Sequence, residues 1–262
     1  MTVIPFDIFQ DIWTIFLLVL VRVSGMFFLS PIFGRRNVPN YFKAGFCFVL
    51  SIVTANSVSV PRLSYTSLAS YIIVMAKELL IGLILGFISY LLFSSIYFAG
   101  QLIDMRIGFG MVSVFDPITN IQIPITADFY VIIATVMMLV TDAHHLLIQA
   151  MVESYEILPI GGSVFDGAAL SQIIKLFSEI LTLGFKIAAP VTVSILITDI
   201  SLGIISKSMP QLNVFMLGLP LKIILGLSVI LITIGAFKGI VNVIIQGTYE
   251  EFYKFLRQAK GS

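Results

Sequence analysis

Long apolar runs separated by short polar breaks dominate the chain, and six of them approach or exceed the roughly 20 residues that a membrane-spanning helix needs. They cover approximately Ile8–Ile32, Phe42–Val60, Leu68–Ala99, Phe129–Val152, Leu170–Ser206 and Phe215–Ile245. The third has no proline, and its excess length predicts a helix that reaches past the hydrocarbon, tilts, or packs inside an assembly. The fifth contains Pro190, which predicts a helix bent or broken there, because proline removes one backbone bond and crowds the preceding turn. Between the third and fourth runs lies AGQLIDMRIGFGMVSVFDPITNIQIPI, Ala99 to Ile125, with acids, an arginine, glycines and prolines close together. Backbone that is neither helix nor strand cannot face lipid, so this stretch is expected to be buried in protein or to line a watery path. A gate or plug is the reading that follows.

Polar residues inside the runs fall on helical faces. Glu78, Gly82, Gly86 and Ser89 make one small, polar stripe, and Asp199, Gly203 and Ser206 repeat it. Lys238, Asn242, Gln246 and Glu250 form a row at i, i+4, continued by an amphipathic tail with Tyr249, Phe252, Tyr253 and Leu256 opposite Glu250, Lys254 and Arg257. Each stripe predicts a face made for another helix. For Gly82 and Gly86 taken alone the preferred partner is the chain's own bundle; the number of stripes points to a multi-subunit assembly.

Composition agrees with the pattern: of 262 residues 58% are hydrophobic and 11% charged, with a mean hydropathy of +1.06. These values set an all-α integral membrane or membrane-embedded protein apart from a soluble domain. A formal charge of +1 in scattered groups offers no basic field for nucleic acid. The single cysteine, Cys47, sits in an apolar run and reads as a small packing residue. Asp7 and Asp11 stand where a secretion signal would carry basic residues, so no cleavable leader is expected. Counting basic residues in alternate loops places Arg35, Arg36 and Lys43 inside and Arg62 outside. The count then fails: one arginine faces Asp104, Asp116 and Asp128 in the third loop, and the tail carries Lys254, Arg257 and Lys260. Either one run does not cross, or an ordinary bilayer does not arrange the chain.

Catalytic readings find little support. No phosphate-binding loop occurs, and Gly108-Phe109-Gly110 lacks the third glycine of a dinucleotide fingerprint. Asp142, His144 and His145 are the best metal candidate, but on a helix only Asp142 and His145 converge, so no metal or cofactor is expected. An enzyme is not predicted.

Several blocks resemble the FliR/SctT family, the export-gate subunit of bacterial flagella and type III secretion injectisomes. They are GRRNVP at Gly34–Pro39, KE followed by GLILG within Lys77–Gly86, AGQLID and FDP within Ala99–Pro117, and above all DISLGIISKSMPQLNVFMLGLPLK at Asp199–Lys222. The resemblance spans almost the whole chain and leans toward the flagellum rather than an injectisome.

It implies a core subunit of the protein export gate, joined by FliP-, FliQ- and FlhB-type partners in the bacterial inner membrane at the flagellar basal body. Unfolded protein substrates would pass through this channel. It further implies a FliP-like part over residues 1–160 and a FliQ-like helical hairpin with the amphipathic tail over 161–262, joined near Pro159–Gly167. The family's plug falls on about Gly108–Thr126: Gly108 and Gly110 would permit tight turns, Phe109 would lie between them, Met111, Val112, Val114 and Phe115 would form a deformable seal, and Asp116-Pro117 would return the chain to the wall. Asp104 and Arg106 would flank its entrance, paired with each other or with a neighbour. Glu78, Gly82, Gly86, Asp199, Gly203, Pro210, Gln211, Asn213, Lys222, Lys238 and Asn242 would be subunit-interface residues. A proton-coupled transporter using Asp199 is the rival, since an intramembrane acid beside small residues suits a proton relay.

Overall fold

The computed structural model describes residues 6–31, 33–34, 38–57, 68–111, 124–162, 167–211 and 213–260. Among these the regular structure is entirely helical. The helices are α1 (Phe6–Leu29), α2 (Asn40–Ser57), α3 (Leu68–Ile107), α4 (Ile125–Val140), α5 (Ala143–Ile157), α6 (Gly167–Ser208), α7 (Val214–Thr233) and α8 (Phe237–Lys260). Short 3₁₀ turns follow α3 at Phe109–Met111 and join α7 to α8 at Ile234–Ala236. The all-α membrane architecture expected from the apolar runs is therefore present.

The described residues support the apolar helices in part as membrane spans. Three described stretches are long and apolar enough to cross a membrane: α3, Ser171–Ser208 of α6, and Met216–Lys260 through α7 and α8. The fourth apolar run is two helices, α4 and α5, bent by 73°, because Asp142 takes a left-handed backbone with φ 53° and ends the helical path. Taken together, the pair is long and apolar enough for a fourth, broken span or for a re-entrant loop. Helix α2 is only 18 residues long and carries Asn40, Lys43, Ser51, Thr54 and Asn56.

Three further expectations change. Helix α3 does not stop at Ala99 but runs eight residues on, to Ile107, because Ile103 and Ile107 continue its buried face. Helix α6 runs unbroken through Pro190, which excludes a break there and leaves the bend. The last run extends past Ile245 to Lys260, after a 3₁₀ turn at Ile234–Ala236.

The chain divides into two compact units. The first comprises residues 1–91, 142–176 and 246–262, the second 92–141 and 177–245.

In the first unit α1 packs along α2 and crosses α3 closely. Ile81, Leu85 and Ile88 of α3 and Leu18, Val19 and Met26 of α1 are buried there. A side chain built on Gly82 would strike the carbonyl oxygen of Arg22, and one on Gly86 would lie 2.6 Å from that of Met26. The Gly82–Gly86 stripe is therefore occupied by the chain's own α1. This corrects its assignment, together with Glu78, to a subunit interface: backbones approach this closely only where both glycines lack a Cβ.

Beside the glycines lies a fully buried charge pair. Arg22 donates from Nε to Glu78 Oε2 at 2.6 Å, from Nη1 to Ser154 Oγ at 3.2 Å, and from Nη1 and Nη2 to the Leu158 carbonyl at 3.1 Å. Its guanidinium stacks 4.0 Å over the Tyr155 ring, and Glu78 Oε1 accepts the Gly161 N–H at 3.0 Å. Both ions are 0% exposed; every charged group has a partner, as a buried pair requires. The amphipathic tail closes the same unit: Phe252, Phe255 and Leu256 are buried, Tyr249 and Tyr253 donate to Glu153, and Gln172 donates to the buried Glu251.

In the second unit, buried side chains of α3 (Ile96, Ile103, Ile107), α4 (Ala134, Met138), α6 (Val191, Ile195) and α8 (Val241, Ile244) form the core. Small residues set the spacing: a Cβ on Gly184 would press on the Phe98 ring, and one on Gly226 would lie 2.5 Å from Ile107 Cδ1. By contrast, Ile197, Ile200 and Ile204 of α6 and Met216, Leu217, Ile224 and Leu231 of α7 lie exposed.

Candidate functional site

The site grows from the last two turns of α3, in the second unit. Helix α4 begins after Pro124, which caps it without a side-chain bond, so its first N–H groups need acceptors from elsewhere. Buried Asp104 supplies them: both carboxylate oxygens accept the Thr126 N–H at 3.1 Å. A carboxylate at this end also meets the positive pole of the helix. One turn earlier, a Cβ on Gly100 would collide with the Ala127 backbone, so the glycine lets α4 start directly against α3. Asp104 thus holds α4 rather than pairing with Arg106, whose side chain is exposed.

Four residues beyond Asp104 the helix ends. The Gly108 N–H still bonds the Asp104 carbonyl at 3.1 Å, and Gly108 then turns the chain with φ 100°, a backbone that glycine adopts without steric cost. Phe109, Gly110 and Met111 form the 3₁₀ turn. Val112, Val114, Phe115, Asp116 and Pro117 lie outside the described residues. Residues 111 and 124 therefore flank a connection whose second end, the start of α4, is fixed by the buried Asp104 carboxylate.

Gly108 and Gly110 line a cavity of about 610 Å³ together with Arg106, Asp199, Gly203 and Lys222. Asp199 on α6 and Lys222 on α7 form an ion pair, 40% and 26% exposed. A Cβ on Gly218 would lie 3.2 Å from Leu202, whereas one on Gly203 meets nothing within 4 Å. Asn213 caps α7 by accepting the Met216 N–H at 3.3 Å, and Pro210 and Gln211 are exposed in the turn before it. Lys238 and Asn242 are exposed on α8, in line with Gln246 and Glu250.

The structure thus joins two sets of residues that the sequence treated separately, the start of the proposed plug (Gly108, Gly110) and part of the proposed interface (Asp199, Gly203, Lys222). Glu78, Gly82 and Gly86 belong to the other unit. No nucleophile stands beside a base in the cavity lining; it offers a turn, open space and a charge pair. Sequence reasoning missed Arg22 and the role of Asp104. A lone arginine within an apolar run was the available signal for the first, because such a residue must have a buried partner.

Comparison with known proteins bears on this geometry. The chain matches the bacterial export proteins, family 1, over residues 13–248. It is 33% identical to the flagellar biosynthetic protein FliR of Bacillus subtilis (strain 168) over 249 residues, covering 94% of this chain and 96% of that one. Against FliR of Escherichia coli (strain K12) the identity is 29%, with 80% of each chain covered. Against FliR of Aquifex aeolicus (strain VF5) it is 27%, with 89% and 88% covered.

Proposed function

The chain belongs to the bacterial export proteins, family 1, and we propose that it is a core subunit of the flagellar type III protein export gate. In this reading it forms, with FliP- and FliQ-type subunits and next to an FlhB-type partner, the channel through which unfolded substrates cross the inner membrane at the flagellar basal body. Residues 1–160 correspond to the FliP-like part and 161–262 to the FliQ-like hairpin and tail, a division by resemblance in fold rather than by compactness. The flagellar names of the relatives favour this over the equivalent injectisome subunit. The role is conduction rather than catalysis.

One observation carries the gate assignment: α3 ends at Ile107, Gly108 turns the chain beside an open cavity, and the start of α4 is pinned by Asp104, so both flanks of the connection between the helices are anchored. Anchored ends let a short apolar segment close a pore and yield without unravelling its supports. Met111, Val112, Val114 and Phe115 are soft, unspecific sealing groups, suited to substrates that share no sequence.

The test uses the assembled complex in membranes. In a Cys47→Ser background, Met111→Cys and Phe115→Cys should each crosslink to a substrate stalled in transit. A scaffold with no channel contact predicts no crosslink at either position. Deleting residues 110–115 should leave the complex assembled but leaky to ions, and an intact ion barrier in that variant would sink the plug assignment.

A further inference from the structure

We propose that Asp142, His144 and His145 form a site for a divalent transition metal of the zinc type at the start of α5. These are the only two histidines of the chain, and the export role does not use them. On a regular helix His144 and His145 would point to different faces. Asp142, however, lies just outside α5 with φ 53° and ψ 18°, the one non-glycine residue with left-handed backbone among the described residues.

The carboxylate is thereby folded back over the first turn of the helix. Its Oδ1 lies 3.9 Å from His145 Nδ1, too far for a hydrogen bond and close enough for a shared ion. The two imidazole rings are 4.1 Å apart between centroids, tilted by 39°. One ligand atom from each of the three residues lies within 4.8 Å of the other two. In a tetrahedral site with bonds near 2.0–2.1 Å the ligand atoms stand about 3.4 Å apart, so small side-chain rotations complete the geometry. Asp142 and His145 are exposed and can make them, and no protein hydrogen bond holds the His144 ring through its buried Nδ1.

Two imidazole nitrogens and one carboxylate oxygen suit zinc, nickel or copper, whereas magnesium and calcium prefer oxygen alone. Three protein ligands leave one position for water. The ion would tie the residue before α5 to its first turn.

The experiment measures zinc chloride binding to the detergent-solubilised full-length chain, purified without an oligohistidine tag, by calorimetry and by metal analysis after dialysis. One zinc per chain with micromolar affinity is expected, with no competition from excess magnesium. Asp142→Asn keeps a residue that tolerates left-handed backbone and should weaken zinc by about tenfold or more. The double variant His144→Gln with His145→Gln should abolish binding while leaving the helical circular dichroism unchanged. Equal zinc binding by the double variant, or the absence of stoichiometric zinc on the wild-type chain, overturns the site.

Discussion

Among the ion pairs of the described residues, two have similar composition and opposite setting. Arg22 and Glu78 are sealed from solvent, with hydrogen bonds to Ser154, Leu158 and Gly161 completing the shell. Asp199 and Lys222 are 40% and 26% exposed, on helices whose neighbouring residues Ile197, Ile200, Leu221 and Ile224 also lie open. The same contrast holds for the glycines: Gly82 has α1 against it, while Gly203 faces open space. Where the apolar helix is α3, 61% of its most apolar window is buried, against 33% for α6 and 17% for the α7–α8 run. The difference shows where the chain completes its own burial and where a membrane or a partner must finish it.

The comparison breaks most sharply at Arg22. Replacing it with alanine leaves Glu78 buried and uncompensated, at a cost of about 3–5 kcal/mol. The chain should be nearly absent from membranes, as immunoblotting of the membrane fraction would register. Arg22→Lys should recover little, because an ammonium cannot reproduce the fork that reaches Glu78, Ser154 and Leu158 together. Replacing both ions, Arg22→Met with Glu78→Leu, should restore much of the abundance. If Arg22→Ala accumulates normally, the pair is not a structural centre.

A smaller effect is expected at Gly82. A methyl group there collides with the Arg22 carbonyl, and overpacking of this kind costs about 1–3 kcal/mol. Gly82→Ala should lower the melting temperature of the solubilised chain. Gly203→Ala serves as its matched control: no atom lies within 4 Å, and alanine favours a helix over glycine by about 1 kcal/mol. The control should be neutral or slightly stabilising. Equal melting temperatures for the two variants would erase the distinction between an occupied stripe and an open one.

What the sequence reveals follows from how local each signal is. The helices are legible because apolar runs of this length have few other uses in a chain of this hydropathy. Glu78, Gly82 and Gly86 are legible as one stripe because helical spacing is a local property. Their partner is not, since Arg22 lies 56 residues away and nothing in the spacing joins the two runs. Asp104 marks polarity, but its duty is to cap another helix 22 residues on, and this made a helical turn read as loop. The break after α4 falls at a polar cluster, Thr141, Asp142, His144 and His145, but its angle depends on the backbone of one residue, Asp142, which no local pattern shows. Of the candidate site, Gly108, Gly110, Asp199, Gly203 and Lys222 were all singled out. Their meeting around one cavity is a tertiary fact that no local pattern carries.

The least disruptive change tests the open side of the comparison. A half-exposed ion pair contributes at most about 1 kcal/mol to a chain's own stability, so Asp199→Asn should leave the melting temperature of the isolated subunit close to wild type. If the role of Asp199 is to present, with Lys222, a charged face to a neighbouring subunit, the same variant should fail to co-purify with FliP- and FliQ-type proteins. Exchanging the two residues, Asp199→Lys with Lys222→Asp, keeps the pair inside the chain but reverses the sign offered to a neighbour. It should therefore fail to assemble as well, whereas a purely internal pair predicts recovery. A proton relay predicts a third pattern: Asp199→Asn assembles fully and exports nothing. Co-purification and export, measured on the same two variants, separate the three roles because each role moves a different combination of the readouts.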